Sequence, residues 1–158
     1  MADVTRLLGE AGIDFDVLEL AHTVRATDEA AALGIAPEEV AKTLVLAAPS
    51  GNVRAVLAAS ERIDLHKAAA TLGVSGKKVH LASEDHLAHE YPDFELGAVP
   101  PFGGRWDQVL VDERLAGRDS IVVEAASHDK SVRLKVSDLV HLTRAQVADI
   151  CREEPTAG

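Results

Sequence analysis

The chain has 158 residues, of which 47% are hydrophobic and 27% are charged. This length and composition predict one compact domain and exclude a disordered or collagen-like chain. A single cysteine, Cys151, excludes an internal disulfide and any CxxC zinc or redox motif. The net charge of −10 argues against general DNA binding. Because no apolar run could span a membrane and the N-terminus lacks the layout of a signal peptide, we expect a cytoplasmic protein without membrane or DNA partners.

Hydrophobic periodicity and capping residues predict helices and strands that alternate along the chain. Helices are predicted over residues 4–11, from Thr27 to Gly34, from Pro37 through Val40, over residues 63–72 and 84–90, and from Thr143, where Gln146 completes a capping-box pattern. Strands are predicted over residues 13–20, 43–48, 53–58, 77–81, 108–111, 120–124 and 132–136. The four-residue connection over residues 49–52 predicts a hairpin at the centre of the sheet.

The order of these elements lacks the regular βαβ spacing of a doubly wound sheet, and several strand pairs resemble hairpins. The sequence therefore predicts an α/β fold with a mixed, largely antiparallel sheet and helices packed around it. We expect a single domain over residues 1–152, followed by a polar C-terminal tail over residues 153–158.

Lys42 is the first candidate functional residue, because it stands just inside the apolar strand segment 41–46. A lysine at a strand end can extend its charged group into solvent along an apolar stem. A lysine that faces a polar cavity can instead anchor a phosphate or a carbonyl oxygen. The residue alone leaves both interpretations open.

The segment from Gly97 to Gly104 combines three glycines with the adjacent prolines Pro100 and Pro101, which predicts a shaped loop. Glycines let a ligand approach the backbone closely, and prolines stiffen the segment between them. Such a loop can hold an anion or polarise an ester carbonyl through its N–H groups, or it can be a structural turn. It matches neither a P-loop nor a dinucleotide-binding motif.

Histidines supply further candidates. His128 lies in a polar turn between two apolar strands, where its imidazole can contact a ligand or be solvated. The only metal-like cluster consists of His80, His86, His89 and Glu90. The three-residue spacing between two of these histidines is weak evidence for a metal site. Cys151, placed in the last predicted helix, is expected to be a packing residue rather than a nucleophile.

Several separate segments together resemble the YbaK/prolyl-tRNA synthetase editing-domain family. They are the lysine that opens an apolar strand (Lys42-Thr43-Leu44), the Gly97-x-x-x-Pro101-Phe102-Gly103 loop, and His128 followed by Asp138-Leu139, with His22-Thr23 and Thr27 also similar. The resemblance extends from about Leu7 to Leu142 in the expected order. Three motifs in order are more specific than any one alone.

Members of this family hydrolyse the ester between a wrong amino acid and the 3′ end of a tRNA, typically the tRNA for proline. The resemblance implies one editing domain over residues 1–152, a mixed sheet curled into a barrel-like core, and no metal or other cofactor. It implies a catalytic group in which Lys42 holds the terminal phosphate or the ester region, Gly97 supplies backbone donors, and His128 shapes the aminoacyl pocket. The substrate-binding residues that it implies are Ala98, Val99, Pro100, Pro101, Phe102, Gly103, His22 and Thr27.

Two departures from the family bear on substrate choice. Many members carry Ser or Thr before a single proline where this loop reads Val99-Pro100-Pro101, and residues 129–132 differ from the family pattern beside the histidine. The position of His128 resembles that of free-standing alanyl deacylases, so alanine on the tRNA for proline is the expected substrate, with serine, threonine and cysteine as alternatives. Arg105 and the Lys77-Lys78 pair are candidate local cations for the acceptor end.

Two other functions compete with this one. The same pocket could belong to a non-catalytic module that recognises a tRNA end or an aminoacyl group in association with a synthetase. A metal-dependent hydrolase built on the histidine cluster is the third hypothesis. The residues do not separate these functions by themselves.

Overall fold

A computed structural model describes residues 4–19, 34–94, 98–104, 106–125 and 130–153. The α-helices are α1 (Val4–Glu10), α2 (Leu65–Leu72), α3 (Glu84–Glu90), α4 (Glu113–Ala116) and α5 (Val136–Thr143), and 3-10 helices span Pro37–Glu39 and Gly76–Lys78. The strands are β1 (Phe15–Glu19), β2 (Ala41–Ala48), β3 (Gly51–Ala58), β4 (His80–Leu81), β5 (Gln108–Asp112), β6 (Ser120–Glu124), β7 (Lys130–Lys135) and β8 (Gln146–Ala148). Among the described helices, none is long and apolar enough to cross a membrane. The helix predicted from Thr27 lies outside the described residues.

The strands form two sheets. One is antiparallel with the order β1-β7-β6, and the other has the order β4-β2-β3-β5-β8. In the larger sheet β4, β2 and β3 pair antiparallel, whereas β3, β5 and β8 pair parallel. A parallel bridge between Val40 and Val122 joins the two sheets. The prediction of a mixed, largely antiparallel sheet with surrounding helices is confirmed.

The main core lies between the two sheets. Alternate residues of the strands point into it, and α1 and α5 add Leu8 and Leu139. The strand residues in this core include Val56, Val111, Ile121, Val123, Val132 and Leu134. A second core covers the opposite face of the larger sheet, where Leu57 and Leu110 pack with Ala68 of α2 and Ile150. Both faces of the larger sheet are therefore buried.

The hairpin at the centre of the larger sheet is tighter than the sequence predicts. β2 and β3 pair from Ala41 opposite Ala58 to Ala48 opposite Gly51, so only Pro49 and Ser50 lie between the strands. Gly51 has φ +126°, a conformation that side chains rarely adopt, and this lets it pair as the first residue of β3. The predicted four-residue connection is two residues too long, because Gly51 and Asn52 belong to β3 and pair with β2.

The prediction of a helix from Thr143 is wrong. Thr143 ends α5, and its hydroxyl donates a hydrogen bond to the Leu139 carbonyl instead of capping a new helix. Arg144 adopts φ +53° and terminates the helix, after which β8 pairs parallel with β5. Cys151 accordingly lies beyond β8, in a bridge with Ile63, and not in a helix. The capping-box pattern was a local signal that the pairing of β8 overrides.

Three smaller differences have local causes. The predicted helix over residues 63–72 starts at Leu65, because the Asp64 carboxylate accepts hydrogen bonds from the backbone N–H groups of the first turn. The predicted strand over residues 77–81 is shortened to β4, because Ser75 caps a 3-10 helix before it. Helix α4 was not predicted, and it begins where Asp112 caps the end of β5.

The segment after β8 fastens the C-terminal part of the chain to the turn before α2. The Asp64 N–H donates to the Ile150 carbonyl at 2.7 Å, and the Arg152 N–H donates to the Arg62 carbonyl at 2.8 Å. Cys151 is buried in the second core, and burial together with Asp112 raises the pKa of its thiol to about 12. The thiol is therefore protonated at neutral pH and serves as a packing group.

Asp149 makes the stability of this segment depend on pH. Its carboxylate accepts hydrogen bonds from Lys67 Nζ at 2.8 Å and Arg114 Nη1 at 2.9 Å, which lower its pKa to about 2. A depressed folded-state pKa stabilises the fold above the unfolded-state pKa of about 4, and this contribution is lost as the pH falls towards 2. We expect Asp149→Asn to be less stable than the wild type at pH 7, and we expect this difference to narrow progressively as the pH falls from about 4 towards 2. Urea denaturation of both proteins over this range measures the difference, and a gap that does not change with pH would contradict the prediction.

Candidate active site

Lys42 lies near the start of β2 with its side chain half-buried. Its ammonium donates one long hydrogen bond, 3.4 Å from the Ala59 carbonyl, and no carboxylate of the described residues lies within ion-pair distance of it. Burial lowers the pKa of Lys42 below its ordinary value, and Arg62 adds to this effect while Glu61 opposes it. A half-buried cation held so loosely is suited to an anionic or carbonyl ligand.

A gap in strand pairing runs along the edge of β2 beside this lysine. At one end Val40 bridges to Val122 of β6, and at the other end the Val45 carbonyl accepts the Ala82 N–H next to β4. Between these two contacts, residues 42–44 are paired on this edge with no strand in the described parts of the chain. Residues 42–44 are partly exposed along this edge.

The turn between β6 and β7 begins beside this gap. Because β6 runs parallel to β2 at the bridge between Val40 and Val122, the rest of β6 and Lys42 both follow the bridge in the same direction. Glu124 and Ser131, which flank the turn, are both buried. His128 belongs to the intervening residues 126–129, which lie outside the described residues, so its predicted role stays a prediction.

The loop after α3 reaches β2 at the other end of the gap. Val99 packs with Val45, and Ala98 is fully buried. Pro100 and Pro101 carry no N–H, so within residues 98–104 only Ala98, Val99 and residues 102–104 can donate backbone hydrogen bonds. The predicted absence of helix and strand over residues 98–104 is confirmed, while Gly97 lies outside the described residues.

A buried arginine fixes this loop. Arg54 of β3 is 1% exposed, and its guanidinium donates to the Pro100 carbonyl at 3.0 Å and to the Gly103 carbonyl at 2.7 Å. Its Nε donates to Asp107 Oδ2 at 3.0 Å, and the Tyr91 hydroxyl donates to the same oxygen at 2.7 Å. These bonds tie both ends of the Pro-Pro-Phe segment to β3 and β5, so the loop is preorganised.

Aromatic rings complete the support of the loop. The Arg54 guanidinium lies 5.1 Å from the centroid of the Tyr91 ring and 5.9 Å from that of Phe94. Burial and the Asp107 carboxylate raise the pKa of Tyr91 to about 12, which keeps its hydroxyl a donor. Gly104 has φ +75°, and a Cβ there would lie 2.8 Å from the Phe94 ring, so only glycine fits.

The described candidates approach the gap from different sides. Side chains alternate along β2, so Lys42 is on the same face of the strand as Leu44 and Leu46. Val45 is on the opposite face and packs against the loop. Val45 is three residues from Lys42, about 10 Å along the strand. A site that uses both groups therefore spans the open edge of β2. Of the expected substrate-binding residues, His22 and Thr27 lie outside the described residues.

The histidine cluster proposed from the sequence does not assemble. The His86 ring nitrogen Nε2 lies 2.8 Å from Asn52 Oδ1, and the described residues contain no group of three or more metal-ligating side chains. His86 and His89 are therefore neighbours on α3, but no third metal-ligating side chain of the described residues joins them.

Sequence reasoning missed the Arg54 and Asp107 pair. A signal was present, since Arg54 interrupts the apolar run Val53-Arg54-Ala55-Val56-Leu57, where a buried charge requires a partner. The partner is 53 residues away, directly before β5. Only the parallel pairing of β3 and β5 brings the two together.

The fold and the site define a class: a small α/β domain with a loosely held lysine and a rigid Gly-Pro loop at one open strand edge. The chain belongs to the aminoacyl-tRNA editing domain family, whose model matches residues 20–142. This confirms the family resemblance found in the sequence. Among curated proteins, none matches the chain.

Solved structures agree with this membership. One, described as a "putative trans-editing enzyme for prolyl tRNA synthetase", is 27% identical over 95% of both chains with a TM-score of 0.84. Another, from work on epitope backbone grafting onto scaffold proteins, is 26% identical over 96% of this chain and 92% of the other with a TM-score of 0.81. A hypothetical protein that is 22% identical, with a TM-score of 0.86 over 94% of this chain and 99% of the other, supports the fold alone.

Proposed function

We propose that this domain is a free-standing deacylase that removes alanine, or another small amino acid, from mischarged tRNA for proline. The observation that carries the proposal is the half-buried Lys42 ammonium, without a carboxylate partner among the described residues, at the edge of β2 that the rigid loop also reaches. Membership of the editing-domain family and the similarity to a trans-editing protein support the same reaction class. The partner would be the acceptor end of the aminoacyl-tRNA, with a synthetase as a further partner.

The reaction needs no nucleophilic side chain. A water molecule adds its oxygen to the ester carbonyl carbon, and the bond between that carbon and the ribose oxygen breaks. The water supplies OH to the amino acid and a proton to the ribose oxygen, so free amino acid and uncharged tRNA result. The developing oxyanion is the group that the protein must stabilise.

Each candidate group has a chemical role in this step. The Lys42 ammonium binds the phosphate of the terminal adenosine or the ester region as a point charge. Gly97 and the neighbouring N–H groups of Ala98 and Val99 donate to the carbonyl oxygen. Since Arg54 holds the carbonyls of Pro100 and Gly103, the N–H groups of Ala98 and Val99 are fixed before substrate binds. His128 limits the space for the aminoacyl side chain, and the site works without a metal ion.

A deacylation panel tests the proposal. Transfer RNA for proline is charged in turn with alanine, serine, threonine, cysteine and proline, and ester loss is followed with and without the protein. We expect rapid loss of alanine and retention of proline, because a pocket that excludes larger side chains discriminates by size. Clearance must persist after dialysis against a chelator. Binding of the charged tRNA end without clearance of any ester would overturn the proposal in favour of a non-catalytic binding module.

A further inference from the structure

Trp106 is an exposed aromatic side chain next to the loop. It is the only tryptophan of the chain and is 74% exposed, more than any other large hydrophobic residue described. Tryptophan is usually well buried, because its ring carries a large apolar surface. A ring left in solvent beside a candidate site is therefore a candidate ligand contact.

The backbone that carries this ring is held rigidly. Asp107, the next residue, is buried and bonded to Arg54 and Tyr91. Trp106 also lines a small cavity together with Pro101, Phe102 and Gly103 of the loop. The ring is thus presented on a fixed base, which lowers the entropic cost of stacking against it.

Positive charge lies beside the ring. Thr143 lines the same cavity as Trp106, and the next residue, Arg144, is exposed and forms no ion pair with a described residue. Arg144 ends α5 two residues before Gln146, which pairs with Leu110 of β5. Arg105 precedes Trp106 in the sequence. In a chain of net charge −10, an exposed aromatic ring near an exposed arginine is a local feature that favours a polyanion.

We propose that Trp106 and Arg144 form a stacking platform for an unpaired nucleobase of the RNA strand whose 3′ end enters the site, an inference that rests on the proposed function. Lys42 of β2 lies opposite Leu57 of β3, whereas Gln108 of β5 lies opposite Val53, four residues earlier on β3. Trp106 precedes Gln108 by two residues, so it lies about 20 Å from Lys42 along and across the sheet. That separation places the platform upstream of the terminal nucleotide. Every base has a flat face, so the contact holds the strand without reading its sequence.

A nucleobase fits this surface better than a protein partner does. The other exposed large hydrophobic residues are Val17, Leu81 and Val147, on β1, β4 and β8. These three residues lie on three different strands, so the described residues give the ring no broad apolar surround. One exposed ring beside Arg144 matches a base and its phosphate.

Fluorescence tests the platform without requiring catalysis, because Trp106 is the only tryptophan. The probe is an uncharged hairpin RNA that carries the acceptor stem and its unpaired 3′ end, and the control is the same hairpin with a blunt end. We expect the first RNA to quench the emission and the blunt RNA to have little effect. Trp106→Ala should weaken RNA binding about tenfold, and Trp106→Phe should recover most of the lost affinity. Because these variants lack tryptophan, their binding is measured with a fluorescent label on the RNA.

Matched variants and substrates separate the possible outcomes. Leu81→Ala, an exposed apolar change on the opposite edge strand β4, should leave RNA binding unchanged. With charged tRNA, Trp106→Ala should raise KM and preserve kcat, and with an alanyl ester of adenosine it should change neither. The platform would be overturned if RNA left the emission of the wild type unquenched and Trp106→Ala bound RNA with wild-type affinity, even if deacylation were intact. A response to a synthetase but not to RNA would overturn it in favour of protein docking, whereas quenching without deacylation would overturn only the proposed function.

Discussion

Lys42→Ala is expected to lose at least about 100-fold in kcat/KM for mischarged tRNA while the protein stays folded. The Lys42 ammonium has no carboxylate partner among the described residues, and in the proposed function alanine removes the charge that binds the phosphate or the ester region. Loss of one donor to a developing oxyanion costs about 100- to 1,000-fold in other hydrolases. Single-turnover deacylation measures the loss, and unchanged urea denaturation shows that the fold persists. A rate near that of the wild type would remove Lys42 from the site.

Two further variants separate charge from packing at this position. Lys135→Ala removes an exposed lysine at the far end of β7 and should leave the rate unchanged. Burial lowers the pKa of Lys42, so activity that needs its charge should decline at a lower pH than the ordinary value of 10.5. The residual activity of Lys42→Arg should lack this alkaline decline, because guanidinium stays charged. Spontaneous ester hydrolysis is subtracted at each pH, and the same decline in both proteins would assign it to another group.

Local sequence signals predicted most of the fold because most elements carry their own boundaries. Ser83 caps α3, and Gly73, in the left-handed region, ends α2, so both helix limits were visible as residue types. The helix prediction for the segment after Thr143 failed because the capping pattern is a local signal, whereas β8 forms only through pairing with β5. Long-range parallel pairing leaves no residue signature at the strand itself, which explains why β8 was missed.

The candidate site was predictable to the extent that its chemistry lies in short motifs. Lys42 and the Gly-Pro loop were found because a charge in an apolar strand and paired prolines are unusual in any sequence. Their relation was not predictable, since alternation along β2 and the gap between β4 and β6 depend on the sheet order. The anchor of the loop was also hidden, because Arg54 meets Asp107 only through tertiary pairing.

Arg54→Ala is expected to destabilise the protein by about 3 to 5 kcal/mol, because it leaves the buried Asp107 carboxylate without its guanidinium. The Pro100 and Gly103 carbonyls lose their donors in the same change. Urea denaturation measures the difference in the free energy of unfolding. Arg6→Ala is a matched control, because its Nε lies 3.1 Å from Glu10 Oε1 against 3.0 Å for Arg54 and Asp107, but the Arg6 and Glu10 side chains are 76% and 69% exposed. We expect the control to cost no more than about 0.5 kcal/mol.

Arg54→Lys tests whether this pair also sets the geometry of the loop. Lysine restores the charge beside Asp107, but one ammonium cannot reproduce the planar fork that bonds the carboxylate and two separate carbonyls. Part of the lost stability should therefore return, whereas kcat for deacylation should stay low because the loop donors are no longer held in register. Stability and kcat that recover together would show that the charge alone matters, and the fork would then have no part in positioning the loop.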